Sequence, residues 1–405
     1  MTEGWQEKSL AEVCEVFADG DWVESKDQSP EGIRLIQTGN VGQGVFKERS
    51  EKARYISEAT FKRLRCTEIV EGDCLISRLP DPVGRSCILP DTGERMITAV
   101  DCTIVRFDAK EVIPEFFNYY SQSRDYLKDV DSETTGTTRN RISRSKLGEV
   151  RVPVPPLPEQ ERIVGILDEV FAGIATAKAN AEKNLQNARS LFESHLQSVF
   201  TQRGDGWVEK QLGTLASFRN GINYTKESKG ESVKIVGVKD FQKSFWVPSE
   251  DLDTVTIDGK LSESDLLRQG DILAVRSNGN PELIGRCILA GKIPEKMSHS
   301  GFTIRIRLSN GDLLPDYLCH FMKCTSSRKR LTDGGTGTNI KSLNQQTLSA
   351  LRIPFPPASR QKAIVARLDA LSEETQRLES IYQQKLAALD ALKKSLLHQA
   401  FSGQL

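Results

Sequence analysis

The chain repeats itself with a period of about 200 residues, and this repeat limits its fold more than any single motif does. Residues 135–168 align with residues 336–369 without a gap, and 13 of the 34 positions are identical. Average composition would give roughly two identities by chance. A period of this length indicates a duplicated domain and not a solenoid of short repeats. Residues 11–70 and 213–268 match poorly, so the duplication keeps a frame and varies a surface.

Length and charge fit this picture. A chain of 405 residues suits two or three domains. The 55 Lys and Arg residues balance the 55 Asp and Glu residues, so the net charge is zero. If the protein binds DNA, its basic residues must therefore be gathered on one face.

The eight cysteines form no Cys-x-x-Cys pair, and only four histidines are present. Cys87 and Cys287 lie in near-identical strings, and Cys74 stands where the second copy has Ile272. A thiol that exchanges with isoleucine in a strand-like segment is typical of a small buried hydrophobe, so we expect no metal site and no disulfide. The N-terminus has no secretory pattern and no apolar run approaches about 20 residues, which predicts a cytoplasmic protein.

Both copies have the same order of elements. Short strands with a period of two come first, such as 102–107 and 302–308, and a Gly/Thr-rich loop follows. Proline-rich segments at 152–158 and 353–357 then end the sheet, because proline lacks the backbone donor. A long segment without internal proline comes last. The pattern predicts an α+β fold with two α/β domains and two long helices.

Apolar residues recur in heptads along both predicted helices, over 158–202 and 359–400. We expect the helices to pair as an antiparallel coiled coil related by a pseudo-two-fold axis, although two separate helices on two cores remain the alternative. Asn184 and Lys385 interrupt the seam at equivalent positions, which is typical of residues that set the register. A helix of 45 residues spans about 68 Å, the length of roughly twenty base pairs.

The layout resembles that of the type I restriction-modification specificity subunits. Each variable segment closes with a hydrophobic-Pro-x-Pro-Pro string, then Gln-x-x-Ile-Val and a long helix. The string 157–164, Leu-Pro-Glu-Gln-Glu-Arg-Ile-Val, is very similar to the usual helix start of that family, whereas the second copy departs from it at 358–361. The resemblance implies target recognition domains at 1–157 and 204–357, a central spacer helix at 158–203 and a distal one at 358–405.

The same resemblance implies the biochemistry. Each domain would recognise one half of a split, asymmetric DNA target. The helices would dock two modification subunits, which methylate adenine with S-adenosylmethionine, and restriction subunits that use ATP and Mg²⁺ would join them. The chain itself would hold no cofactor and carry no catalytic or metal-binding residue. We assign partner binding to Gln160, Ile163, Gln361 and Ile364.

The Gly/Thr-rich loops are the first candidates for DNA contact, with a solvated connecting loop as the alternative. Arginine suits phosphates and guanine, and asparagine suits adenine. The candidates in the first copy are Thr137, Thr138, Arg139, Arg141, Arg144 and Lys146, and those in the second copy are Thr338, Asn339, Lys341 and Asn344.

Two further loops are weaker candidates. The loop after each Gly-Asp turn contributes Arg78, Arg85, Arg276, Asn278, Asn280 and Arg286, where an arginine that fixes a turn is an equal alternative. The loop at 220–226 contributes Asn223, Tyr224 and Lys226, and its first-copy counterpart at 19–22 is more acidic.

Rival functions lack their motifs. A stand-alone DNA methyltransferase would need a Gly-rich cofactor loop and an Asn-Pro-Pro-aromatic string, and an ATP-driven motor would need a phosphate-binding loop. None of these strings occurs in the sequence. A two-lobed coiled-coil scaffold that binds only protein remains open, and a steep salt dependence of DNA binding would distinguish it.

Overall fold

The computed structural model describes residues 4–136, 140–241, 245–333 and 342–405. The chain divides into two compact units. Unit 1 contains residues 1–182 and 384–405, and unit 2 contains residues 183–383. Each long helix therefore contributes one half to each unit.

Unit 1 begins with short strands that build two sheets. Its elements along the chain are β1 (Gln6–Ser9), β2 (Cys14–Asp19), β3 (Gln28–Ser29), β4 (Ile33–Ile36), β5 (Tyr55–Ile56), α1 (Glu58–Leu64), β6 (Cys74–Ser77), β7 (Ser86–Ile88), β8 (Met96–Thr98), β9 (Cys102–Phe107), α2 (Pro114–Tyr120), α3 (Arg124–Ser132), α4 (Arg144–Glu149), β10 (Arg151–Val154) and α5 (Leu157–Thr201). One sheet has the order β2-β9-β6-β7 and is antiparallel. The other has the order β3-β5-β4-β8, with β4 and β8 parallel, and β1 pairs with β10.

Unit 2 repeats this architecture. Its elements are β11 (Val208–Gln211), β12 (Ala216–Asn220), β13 (Ser232–Val236), β14 (Asp253–Thr256), β15 (Ile272–Val275), β16 (Cys287–Leu289), β17 (Met297–His299), β18 (Thr303–Leu308), α6 (Pro315–Lys323), α7 (Thr325–Asp333), α8 (Gln345–Ala350), β19 (Arg352–Phe355) and α9 (Ala358–Phe401). The sheet β12-β18-β15-β16 matches the antiparallel sheet of unit 1, and β13 again has a parallel neighbour, β17. β11 pairs with β19 as β1 does with β10.

The central strands are buried on both faces, which explains their apolar composition. In β9, Cys102 and Ile104 face one hydrophobic cluster, whereas Val105 and Phe107 face another. Alternation places successive side chains on opposite faces of a strand. The predicted strands 102–107 and 302–308 are confirmed, the second with its first residue outside the strand.

A buried aspartate that pairs with a partly exposed arginine fixes the Gly-Asp turn before β6 and before β15. The Asp73 carboxylate accepts two bonds of 2.7 Å from Arg106, and Asp271 accepts bonds of 2.7 and 2.8 Å from Arg307. Each aspartate also accepts a backbone N–H three residues earlier, and Gly72 supplies the positive φ that the turn requires. The Gly-Asp motif shared by the two copies is thus a structural turn.

The cysteine strings align one residue differently from what their letters suggest. Ser86 pairs with Ile76 on β6, and Cys287 pairs with Ala274 on β15, so Ser86 and Cys287 are the equivalent residues. A slip of one residue reverses the face of a strand, and Cys87 and Cys287 consequently belong to different clusters. All eight cysteines are free thiols, and seven are buried, whereas Cys14 is half-buried. The burial of Cys74, Cys87 and Cys287 confirms their interpretation as small buried hydrophobes.

The long helices pack antiparallel as a coiled coil, as predicted. Their bounds lie within one residue of the heptad segments 158–202 and 359–400, and both helices end before the spacer bounds at 203 and 405. In unit 1, Ile163 and Leu167 share a cluster with Leu397 and Ala400. In unit 2, Leu196 shares a cluster with Leu368. Ion pairs accompany this packing in each unit, with Lys178 2.6 Å from Asp390 and Arg189 3.0 Å from Glu379.

The predicted role of the two polar interruptions is wrong. Asn184 and Lys385 are exposed, and the next heptad positions, Leu191 and Leu392, are exposed as well. An α-helix drifts by about 20° per heptad, so a strict seven-residue row rotates out of the contact. Burial passes instead to Leu196 and Leu397.

Candidate functional site

Four segments of unit 1 meet at one end of its antiparallel sheet. They are residues 19–22 after β2, 78–82 after β6, 99–101 before β9 and 140–144 before α4. Three backbone hydrogen bonds link them: Val100 N to Asp21 O (3.0 Å), Arg78 N to Asp101 O (2.9 Å) and Ile142 N to Arg78 O (3.3 Å). We call this surface the loop edge of unit 1.

Unit 2 forms the same loop edge from residues 220–224, 276–280, 300–302 and 342–345. The equivalent bonds join Gly301 N to Ile222 O (2.7 Å), Arg276 N to Phe302 O (2.9 Å) and Leu343 N to Arg276 O (2.8 Å). In each unit the fold therefore brings together the three loops that the sequence singled out, and adds a fourth.

An ionic network covers the loop edge of unit 1. Arg78 lies 3.0 Å from Asp19, and Arg144 lies 3.8 Å from the same carboxylate. Arg141 lies 3.0 Å from Asp101. The guanidinium groups of Arg141 and Arg144 remain about half exposed, so they can still reach an anionic ligand. Lys146 is exposed too, but it lies on α4 and pairs with Glu133 and Glu149.

The structure corrects two arginines of unit 1. Arg85 is buried and donates to four carbonyl oxygens, those of Thr38, Val41, Leu79 and Pro82, so it holds loops and faces no ligand. Arg78 is buried between Asp19 and the carbonyl of Val100, and burial lowers its pKa. Here the alternative, an arginine that fixes a turn, is the correct interpretation.

The loop edge of unit 2 is polar and mostly uncharged. Asn223, Tyr224 and Lys226 are exposed, as their assignment requires. Arg276 is half-buried, and its Nε has no partner among the described residues. Gln345 donates to Asn220 across the edge (3.1 Å).

Other candidates of unit 2 have local roles. The Asn344 carboxamide caps α8 by accepting from Thr347 N (2.8 Å). The side-chain oxygens of Asn278 and Asn280 accept backbone N–H groups of their own turn (2.8 and 3.0 Å). Arg286 lies away from the loop edge, in a cleft of about 300 Å³ that Phe192 and Phe245 also line. Thr137, Thr138, Arg139, Thr338, Asn339 and Lys341 lie outside the described residues.

The assignment of Gln160 and Gln361 to partner binding is wrong. Gln160 is fully buried, accepts from Ile113 N (2.9 Å) and donates to the carbonyls of Glu111 and Pro155 (both 2.8 Å). Gln361 makes the same three bonds to Leu314 N, Asp312 O and Pro356 O. Each glutamine ties the start of its long helix to the loop before α2 or α6.

The isoleucines of this set are packed as well. Ile163 is buried in the cluster that joins α5 to α9, and Ile364 is half-buried against the core of unit 2. Neither is a free docking residue. The Gln-x-x-Ile pattern that the two copies share is therefore a structural motif.

Two exposed aromatic residues on the loop edges were not identified from the sequence. Trp22 is 67% exposed in unit 1, and Phe302 is 61% exposed in unit 2. The alternation of residues 302–308 assigned Phe302 to a strand. Trp22 lies in segment 19–22, which the sequence marks as the counterpart of a candidate loop, but the exposure of both rings is visible only in the fold.

Two general searches cover the described parts of the chain. They contain no cluster of three or more His, Cys, Asp or Glu residues that could hold a metal ion. Among those same residues, no helix combines the length and the apolar character needed to span a membrane.

Two α/β units with equivalent loop edges and a pair of long helices define a class of two-domain recognition proteins. The chain belongs to the family described as "Type I restriction modification DNA specificity domain", which matches residues 2–186 and 204–387. The family is one of specificity subunits, whose role is DNA recognition and not catalysis.

Individual relatives agree. The specificity subunit of type I restriction enzyme StySPI from Salmonella potsdam is 24% identical, over 73% of this chain and 66% of that protein. The EcoKI specificity subunit from Escherichia coli strain K12 is 26% identical, over 75% of this chain and 68% of that protein. The chain thus aligns with about two thirds of these relatives. A chain from a structural study of assembly in the type I system covers 100% of this one with a TM-score of 0.81 at 17% identity, which shows the shared fold.

Proposed function

We propose that this chain recognises a bipartite, asymmetric DNA target for a type I restriction-modification complex, with one half of the target assigned to each unit. The observation that carries the proposal is the pair of loop edges. Both have the same backbone bonds between equivalent loops, but their side chains differ in charge and size. A common frame with different side chains suits recognition of two different base sequences, because base edges are distinguished by the groups that contact them.

The long helices serve as the spacer and the docking surface in this proposal. With 45 residues, α5 is about 68 Å long. Because Gln160 and Gln361 are buried, docking must use exposed helix residues. Leu191 is 59% exposed and Leu392 46%, and they occupy equivalent positions in the repeat. We assign to them the binding of two modification subunits, since exposed apolar side chains at related positions suit two copies of one partner.

The chemistry belongs to the partners. Modification subunits would supply S-adenosylmethionine and methylate adenine, and restriction subunits would supply ATP and Mg²⁺. The residues of this chain select the DNA sequence and hold the partners on it. Leu191→Glu and Leu392→Glu should each weaken assembly with the modification subunit, whereas Asn184→Glu, at an exposed polar position, serves as the matched control.

The methylation pattern of DNA in cells that carry this protein and its modification partner tests the main proposal. We expect adenine methylation within a split motif that has a fixed internal gap. An unsplit motif would contradict the assignment of one half-target to each unit. An assembled complex without new methylation would favour the protein-only scaffold.

Exchange of one recognition segment tests the independence of the two units. Replacing residues 206–350 with the second segment of another specificity subunit should change one half of the target and leave the other half and the gap intact. If both halves change, the units do not recognise DNA independently.

Salt dependence separates DNA recognition from a scaffold that binds only protein. Contacts with phosphates release counterions, so the DNA affinity of the assembled complex should fall steeply between 50 and 200 mM salt. A protein-only scaffold would show weak binding without preference for the methylated motif.

A further inference from the structure

The most exposed aromatic ring on each loop edge is Trp22 in unit 1 and Phe302 in unit 2, and Tyr224 of unit 2 is less exposed. Trp22 is 67% exposed and Phe302 is 61% exposed, although either ring could bury about 150 Å² or more in a core. Isolated exposed apolar residues are common on protein surfaces and mean little alone. These two differ because each lies on the loop edge of its unit.

The backbone holds both rings outward. The carbonyl of Phe302 accepts from Arg276 N (2.9 Å), and its own N–H reaches the Ser300 hydroxyl (3.4 Å). Trp22 directly follows Asp21, whose N–H donates to Thr98 O (2.7 Å) and whose carbonyl accepts from Val100 N (3.0 Å). Because these bonds hold the backbone that carries each ring, contact with a ligand requires little further ordering of the loops.

The two rings lie in different loops of a bridged pair. Trp22 lies in the loop after β2, and Phe302 lies in the loop before β18. Asp21 forms a bridge with Ala99 in unit 1, and Ile222 forms the same bridge with Ser300 in unit 2. Trp22 therefore corresponds to Asn223, and Phe302 corresponds to Asp101. Each unit has one aromatic and one polar residue at these two positions, in exchanged order.

Cationic groups accompany each ring. The backbone N–H of Arg276 donates to the Phe302 carbonyl, so this arginine is next to the ring of unit 2, and the half-exposed guanidinium groups of Arg141 and Arg144 lie on the same loop edge as Trp22. Cations that attract phosphate, next to a flat apolar surface, are the combination that suits DNA bases.

We propose that Trp22 and Phe302 are the apolar base-contacting residues of the two half-targets, each packing its ring against the bases of one half. This inference rests on the proposed function. The exchanged order of ring and polar residue would place the ring against a different base position in each half, and so contribute to the asymmetry of the target.

The experiment uses the full chain assembled with its modification subunits, on duplexes that carry the motif defined by methylation, that motif with one half scrambled, or unrelated DNA. Loss of one base-specific contact in a duplex site costs about 1–3 kcal/mol. We expect Phe302→Ala to lower the preference for one correct half-target over its scrambled form about tenfold or more. Trp22→Ala should do the same for the other half.

Binding to unrelated DNA should stay within about twofold of the wild type, because phosphate contacts remain. Trp22→Phe should retain most of the preference, since a ring is kept. Val70→Ala and Val208→Ala are matched controls, because these valines are 48% exposed but lie off the loop edges. They should leave both preferences unchanged.

Failure of this inference differs from failure of the proposed function. If the wild-type complex distinguishes both half-targets and the alanine variants do so equally well, the rings do not contact bases. If an alanine variant lowers both preferences together, it damages the fold and not a contact, which also overturns the assignment. If the wild-type complex distinguishes neither half, the proposed function itself is wrong.

Discussion

The two units have the same backbone architecture, but they differ in the side chains of the loop edge and in some pairs of side chains inside each unit. On the loop edge, unit 1 has paired arginines and aspartates, whereas unit 2 has amides, Arg276 and Phe302. A buried site differs similarly. Ser86 bonds to Asn118 (3.0 Å) in unit 1, and the equivalent Cys287 and Cys319 thiols lie 4.0 Å apart in unit 2.

Other interactions are the same in both units. The bidentate Asp-Arg pair and the three bonds of the buried glutamine have partners at equivalent positions of the repeat. A third link survives a change of residue: Tyr119 donates to Asp168 in unit 1, and His320 lies 2.8 Å from Asp369 in unit 2. The hydrogen bonds that fix helices and turns are thus retained in both units. A buried polar pair that thiols of similar volume can replace is not retained. The retained bonds therefore identify the interactions that the shared architecture requires.

Among polar substitutions, the largest expected effect follows from the buried glutamines. Gln160→Ala leaves one N–H and two carbonyl groups without partners, which should lower the free energy of unfolding of unit 1 by about 3 kcal/mol. Gln361→Ala should lower that of unit 2 by the same amount, because the bonds are equivalent. Hydrogen exchange within each unit measures both.

Gln186→Ala is the control for the glutamine variants, since this glutamine is exposed on α5. It should change neither unit. Unequal costs for Gln160→Ala and Gln361→Ala would show that the two frames are not equivalent.

The second prediction concerns acid, which should affect the units in opposite directions. Burial lowers the pKa of His299 from 6.5 to about 3, so unit 2 loses stability as the pH falls below 6.5. Burial raises the pKa of Asp21 from 3.8 to about 6, so unit 1 is less stable above pH 6 than below pH 3.8. From pH 8 to pH 5, unit 2 should lose about 2 kcal/mol, while unit 1 gains a smaller amount.

Hydrogen exchange of each unit at pH 8 and pH 5, corrected for intrinsic rates, measures these changes. His299→Gln should remove most of the loss in unit 2 and leave the part that comes from His320, whose pKa burial also lowers. Asp21→Asn should remove the gain in unit 1. If the stability of both units changed in the same direction, His299 and Asp21 would not be the groups that set these changes.

Sequence reasoning predicted the frame well, for identifiable reasons. The alternation of 102–107 and the absence of proline between 159 and 201 depend on local geometry, which a sequence displays directly. The site was harder. Gln160 follows prolines at the start of a helix, where an exposed residue is usual, and only the approach of the loop at 111–113 buries it. The structural role of Arg85 likewise depends on four carbonyl oxygens that accept its hydrogen bonds. Two of them, those of Thr38 and Val41, lie more than 40 residues earlier in the chain.

The third prediction compares the electrostatics of the two loop edges. Arg141→Ala and Arg144→Ala should each lower the salt dependence of DNA binding by about one unit of slope, if each guanidinium contacts a phosphate. Arg276→Ala should act similarly for unit 2, where it is the arginine of the described loop edge. Arg85→Lys should instead destabilise unit 1, since it replaces a guanidinium that donates to four carbonyls. An unchanged slope in the Arg144 variant would remove this residue from the interface.

The smallest expected effect concerns the two polar residues that interrupt the heptad rows of the long helices, and buried leucines of the same helices serve as the comparison. Asn184→Ala and Lys385→Ala should each change the free energy of unfolding by less than about 0.5 kcal/mol, because both side chains are exposed. Leu167→Ala and Leu368→Ala should each cost about 2–5 kcal/mol, because both leucines are fully buried. If Asn184→Ala raised the unfolding temperature strongly, Asn184 would have to lie in the helix contact, since removal of a polar residue stabilises a coiled coil only where that residue was buried. The residues of the strict seven-residue row would then stay in the contact between the helices, in contrast to the burial of Leu196 and Leu397.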